Sequence, residues 1–223
     1  MDFPRKGKPK MKKLLLAMSA LAALSLLAPS DGVAQSWTGP ENLTNAIGIY
    51  TTATPTPASA NDDAVYSGAP GQFTAYVVCT NPWNDNTNTA ISIIGGFEFK
   101  LVLPGNVFLL NAALPPQSTN FATPPEFLCG ANAPVNNSIS TLITLTLGWF
   151  DGVPGTISVT PVEIAPASVP GNIAVTDYND DFSISVAKPS SGVGAFDQPV
   201  FGMGTPVVPN DDTTWGGVKS LYR

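Results

Sequence analysis

Residues 138–150 read SISTLITLTLGWF. Ile139, Ile143, Leu145, Leu147 and Trp149 share one phase of a two-residue alternation, and Ser138, Ser140, Thr144 and Thr146 fall in the other. A strand shows that period because successive side chains point to opposite faces of a sheet. Thirteen residues of alternation, rich in β-branched types, predict a long strand with one buried face.

The same pattern recurs on both sides of this stretch. Residues 72–80 (QFTAYVVCT) place Phe73, Ala75, Val77 and Cys79 on one face and Thr74, Tyr76, Val78 and Thr80 on the other. Residues 93–103 put Phe97, Phe99, Leu101 and Leu103 inward, which sends Glu98 and Lys100 to solvent. Gly95–Gly96 marks a bulge or bend in that strand. Shorter strands are read at residues 46–52, 107–110, 127–129, 156–164 and 172–176. In the last strand, residues 182–187, Phe182, Ile184 and Val186 alternate with Ser183 and Ser185. Gly, Pro, Asn or Asp closes each segment, and no helical period appears between residues 46 and 190. Eight or nine short strands with this punctuation predict an all-β sandwich or barrel, and an Ig-like antiparallel β-sandwich meets the burial requirement directly, because two sheets cover each other's apolar faces.

The flanks read differently. Lys12 and Lys13 precede an unbroken apolar run from Leu14 to Ala28, fifteen residues against the ~20 a membrane-spanning helix needs. Gly32, Val33 and Ala34 follow as a small-residue cleavage site, so residues 1–34 read as a secretory signal peptide. Residues 35–45 form a polar lead-in, residues 46–190 the sandwich, residues 191–212 a Gly-, Pro- and Asp-rich linker, and residues 213–223 a tail (TTWGGVKSLYR). In that tail Trp215, Val218, Leu221 and Tyr222 have the spacing of one helical face. A helix this short needs a partner surface, either the chain's own sandwich or another protein.

Charge and composition exclude several functions. Six of the ten basic and two of the sixteen acidic residues lie in residues 1–34, leaving four basic and fourteen acidic residues and a net charge of −10. Such a chain lacks the Lys and Arg that neutralise phosphates, so nucleic acid is not an expected partner, and contact with membrane is expected only through the export signal. There is no His, which removes Ser-His-Asp and Cys-His catalysis. Lys100, Lys188 and Lys219 do not sit in an S-x-x-K arrangement, and G-x-S-x-G is missing. Candidate carboxylates for glycoside hydrolysis are Glu98, Glu126 and Glu163.

Three further groups are singled out. Cys79 and Cys129 form the only cysteine pair and, in an oxidising compartment, are expected to bridge; closing the loop would stabilise by about 4 kcal/mol. The alternative is two separate buried thiols. Asp177, Asn179, Asp180 and Asp181 crowd one turn with hard oxygen donors, which suits calcium but equally suits a solvated turn. Asp62–Asp63 and Asp211–Asp212 are further acidic pairs, and no other cofactor is implied. Trp83, with Tyr76 and Tyr178 as companions, offers faces for stacking on a sugar ring, unless Trp83 plugs the core from its loop.

Taken together, the signal peptide, the IGIY, YVVCTNP and GGFEFKLVLP strands and the terminal WGGVKSLYR resemble exported bacterial proteins similar in layout to cohesin-like or carbohydrate-binding β-sandwiches. The terminal segment, with Trp215, Gly216, Val218, Lys219, Leu221 and Tyr222, is the most distinctive part and looks like a shared export or surface-attachment tail. The resemblance implies a non-enzymatic binding or structural module at the periplasm, cell surface or exterior, with a glycan or a surface protein as partner. An accessory of a carbohydrate-active enzyme, or a weak glycoside hydrolase, is the alternative.

Overall fold

The computed structural model describes residues 44–204, apart from residues 57–58, 164–166, 192–195 and 197. The signal peptide, most of the lead-in, Asp211–Asp212 and the 213–223 tail lie outside the described residues.

The described chain is all-β apart from one short helix. In order it forms β1 (Ala46–Tyr50), α1 (Ala60–Asp63), β2 (Val65–Tyr66), β3 (Gly71–Thr80), β4 (Trp83–Asn84), β5 (Thr89–Ala90), β6 (Ile93–Val102) and β7 (Val107–Ala113). There follow β8 (Thr119–Asn120), β9 (Glu126–Pro134), β10 (Ile139–Trp149), β11 (Gly155–Thr160), β12 (Ile173–Asp177), β13 (Ser183–Pro189) and β14 (Phe201–Met203). Nine of these strands have five residues or more, and they are the ones the alternation finds.

The first layer runs β7-β10-β3-β1, all antiparallel. The second has β6 at its centre. β9 lines one edge of β6, with β8 beyond it; β12 and then β11 share the other edge. β13 pairs with β12 through Ala187 and reaches β1 at Lys188 and Pro189, so it turns the corner between the layers. The β1–β13 contact is parallel, as is β14–β2, which departs from the purely antiparallel expectation. Long connections between these strands allow it, since parallel neighbours need a crossover.

One core fills the space between the layers. Ile49, Val77 and Leu145 from the first layer pack with Phe97, Phe99 and Val175 from the second. Rings cross the gap at the β2 and β14 end: Tyr66 stacks on Phe73 at 3.9 Å, and Phe73 lies 6.2 Å from Phe201. β14 is therefore part of the sandwich, which extends past residue 190 into the stretch read as linker.

Two irregularities matter. In β10 the register shifts between Thr141 and Ile143, so Leu142 is the extra residue and both Leu142 and Ile143 enter the core. Ile139 is thereby carried to the opposite face, out of phase with Ile143. There it packs on a satellite cluster of Tyr50, Ala60 and Val78. In β6 the register shifts between Ile94 and Gly96 against both neighbours, which is the bend expected at Gly95–Gly96.

Candidate functional site

The outer face of the second layer carries the candidate site. Register places Gly96 opposite Gly130 on β9 and Thr176 on β12; two residues on, Glu98 lies opposite Leu128 and Ala174. These residues share the face turned away from the core. Two glycines meeting across strands, with an alanine beside them, leave a trough where side chains would otherwise stand. Its volume is about 220 Å³. Glycine is required at 96, because a Cβ there would lie 2.7 Å from the Cys129 carbonyl oxygen and 3.1 Å from Thr176 Oγ1.

Glu98 closes one end, and the expectation that it is solvated is overturned. The alternation with Phe97 and Phe99 does point it away from the core, but the backbone after residue 166 roofs it. Glu98 is 2% exposed. Its two carboxylate oxygens accept backbone N–H bonds from Ser168 (2.9 Å) and Val169 (3.1 Å). These are charge-assisted bonds that fix the roof to β6. They also occupy the carboxylate as a clamp. Lys100, one step further along the strand face, stands 2.7 Å from Glu163 and 4.0 Å from Glu126. The three candidate acid/base residues thus have structural partners.

At the other end Tyr178 and Phe182 meet edge to face at 5.3 Å, with the Phe182 ring over Gly95. Both are exposed, as are Ile184 and Val186 along β13 and Phe121 on the far side above Gly130. The apolar set of β13 therefore faces out. Ser185 faces in, where its Oγ accepts the Asp85 N–H at 2.9 Å. On the floor, Thr176 Oγ1 is buried with no hydrogen-bond partner. A hydroxyl buried in that way is a position a ligand atom can satisfy.

The acidic turn is brought together around an amide. Asn84 Nδ2 donates to Asp177 Oδ2 (2.9 Å), Asp180 Oδ2 (3.0 Å) and Ser183 Oγ (2.9 Å). Asn84 Oδ1 accepts from the backbone N–H of Asn86 and Thr87, which fixes which side of the amide faces the carboxylates. Asn86 Nδ2 adds a bond to Asp180. Hydrogen bonds from Asn84 first, then Asn86 and Ser183, hold the Asp180 carboxyl below the usual carboxylate range. Asn179 donates its N–H to Asp177 Oδ1, and Asp181 is exposed in a left-handed turn. Among the described residues no group of three or more His, Cys, Asp or Glu is placed to hold a metal ion. No local pattern announces the Asn84 contact, which joins residues more than ninety positions apart.

The other expected site residues are dispersed. Trp83 is half-buried, its N–H donating to Asn45 Oδ1 at 2.6 Å and its carbonyl accepting from Asn45 Nδ2. Tyr76 is on the outer face of the first layer, against the Tyr50 cluster. Only Tyr178 borders the trough. Cys79 and Cys129 are both free and buried, so the expected bridge is not formed. They sit on β3 and β9, strands of different layers, and burial pushes each thiol up to about 12. Among the described residues no helix is long and apolar enough to cross a membrane.

Fold and trough together define a β-sandwich with one open apolar face. No protein-family model matches the chain, and no curated protein sequence matches it. Among solved structures it is similar to a type II cohesin domain from the cellulosome of Acetivibrio cellulolyticus. That likeness has 15% identity and a TM-score of 0.35, over 76% of this chain and 97% of the cohesin chain.

Proposed function

We propose that this chain is an exported, non-catalytic binding module that takes a partner at the cell surface on the outer face of its second layer. One observation carries the reading. The trough over Gly96 and Gly130 is left open, while the apolar side chains around it (Phe182, Ile184, Val186 and Phe121) stand in solvent. Contiguous exposed apolar surface on a soluble domain marks a contact site. The engagement of Glu98, Glu126 and Glu163 with backbone amides and Lys100 supports a binding role over hydrolysis.

A protein partner is favoured over a glycan, because Trp83, Tyr76 and Tyr178 do not gather into a stacking platform. The test is cosedimentation of the mature chain with isolated cell envelopes and, separately, with purified envelope polysaccharide. Binding to envelopes that is lost on protease treatment of the envelopes, and lost in Phe182→Ala, supports the reading. Binding to polysaccharide alone that survives Phe182→Ala and is lost in Trp83→Ala would replace it with sugar recognition. A hydrolytic activity abolished by Glu98→Gln would overturn it.

A further inference from the structure

A second apolar patch lies on the first layer, away from the trough. Among the described residues β7 pairs with β10 alone and leaves its other edge open. Phe108 and Phe150 are 53% and 59% exposed, with ring centroids 6.4 Å apart. Both Phe150 and Leu110 lie over Gly148, the register partner of Phe108, where a Cβ would come within 2.6 Å and 3.3 Å of them. β7 (VFLLNAA) carries no charge and no proline to guard that edge.

The described chain ends at the same end of β10 as this patch, on the core side of the sheet. A Cβ on Gly204, the last described residue, would lie 3.1 Å from the Trp149 ring. Trp149 precedes Phe150 and is the register partner of Val107. Residues 205–223 follow. Eleven residues from Gly204 to Trp215 span at most ~36–40 Å, ample for a patch that begins at the next residue of β10. The tail brings Trp215, Val218, Leu221 and Tyr222, together with Lys219 and Arg223. It meets a body with ten acidic side chains and two lysines among the described residues, Asp151 being next to Phe150.

We propose that residues 213–223 dock on the Phe108–Leu110–Phe150 patch of the same molecule, apolar side chains against the rings and basic side chains toward the acidic body. A short tether holds the tail at an effective concentration of order mM, which favours its own body over a second copy.

Hydrogen exchange on the mature chain tests this, with sedimentation to fix the oligomeric state. Amides of residues 215–222 and of residues 108–112 are expected to exchange about tenfold slower than open-chain and open-edge rates in the monomer. Both protections vanish in Trp215→Ser/Leu221→Ser, and the tail's protection vanishes in Phe108→Ser/Phe150→Ser. The first variant leaves the sandwich untouched, so it decides the matter even if the second fails to fold. Open-chain exchange throughout the tail overturns the proposal. So does protection that survives the patch variant, and so does protection that grows with protein concentration alongside a dimer.

Discussion

Each layer turns one face away from the shared core, and the chain treats these two faces differently. On the first layer, residues 51–56 and 59–64 fold back over β1 and β3. Ala60 closes on Tyr50 and Val78, Thr51 N–H donates to the Asp63 carbonyl at 2.7 Å, and Thr141 Oγ1 donates to the Ala53 carbonyl at 2.9 Å. Among the described residues the second layer is covered at its Glu98 end and stays open over Gly96 and Gly130. Over β1 and β3 the chain supplies its own cover, whereas over Gly96 and Gly130, as over Phe108 and Phe150 at the far side of the first layer, the described residues supply none. The difference teaches which parts of the two faces are available to something outside the described residues.

The sharpest way to break this comparison is to remove a side chain under the cover. Tyr50 is buried on the outer side of β1, so Tyr50→Ala leaves a cavity and is expected to cost about 3 kcal/mol in guanidinium denaturation. A loss near zero would mean that residues 51–64 do not pack there, and the contrast between the faces would dissolve.

The covered end of the trough comes next. Glu98→Ala leaves the Ser168 and Val169 N–H groups without their carboxylate and is expected to cost about 2 kcal/mol. Glu98→Gln, which keeps one acceptor oxygen, should recover part of it. A solvated strand residue would show neither effect.

Glu98 also shows where legibility in the sequence stopped. The layers, the nine main strands and the bend at Gly95–Gly96 follow from a two-residue period and turn punctuation, both local properties. That Glu98 points away from the core was legible as well. What roofs it comes from residues seventy positions later, and no local pattern announces a roof. The alternation in β13 left its facing open for a related reason. Phe182, Ile184 and Val186 stand in solvent, and Ser185 is turned inward to hold the Asp85 N–H from a distant hairpin. The bulge at Leu142 leaves a local trace, since Thr141 and Leu142 break the alternation, and placing Ile139 in phase with Ile143 passes over that slip. The candidate site is an outcome of such long-range contacts, and only Tyr178 of its rim had been singled out.

A smaller effect probes the knot that ties β4 to the trough. Asp180 is more acidic in the folded chain than in the unfolded one, because the Asn84 amide donates to it. Its contribution is therefore present above the unfolded carboxylate pKa of ~4 and is lost as pH falls through the lower folded value. Asn84→Ala is expected to be the less stable chain at pH 7, and the gap to the unmodified chain should narrow on acidification toward pH 3. A gap independent of pH would show that Asn84 acts through packing alone.

The smallest change in stability is expected on the open face itself. Ile184→Ser with Val186→Ser removes two exposed apolar side chains from β13 without emptying any core position, so denaturation should shift by no more than about 0.5 kcal/mol per site. Binding to envelopes should nevertheless fall well below that of the unmodified chain. The two readouts must separate for the comparison to hold, because a face kept for a partner contributes to association and not to folding. If the double variant instead destabilises the fold as much as Tyr50→Ala, these side chains are covered by the chain's own residues. The second layer would then be closed there as the first is over β1 and β3, and the trough would have no external occupant.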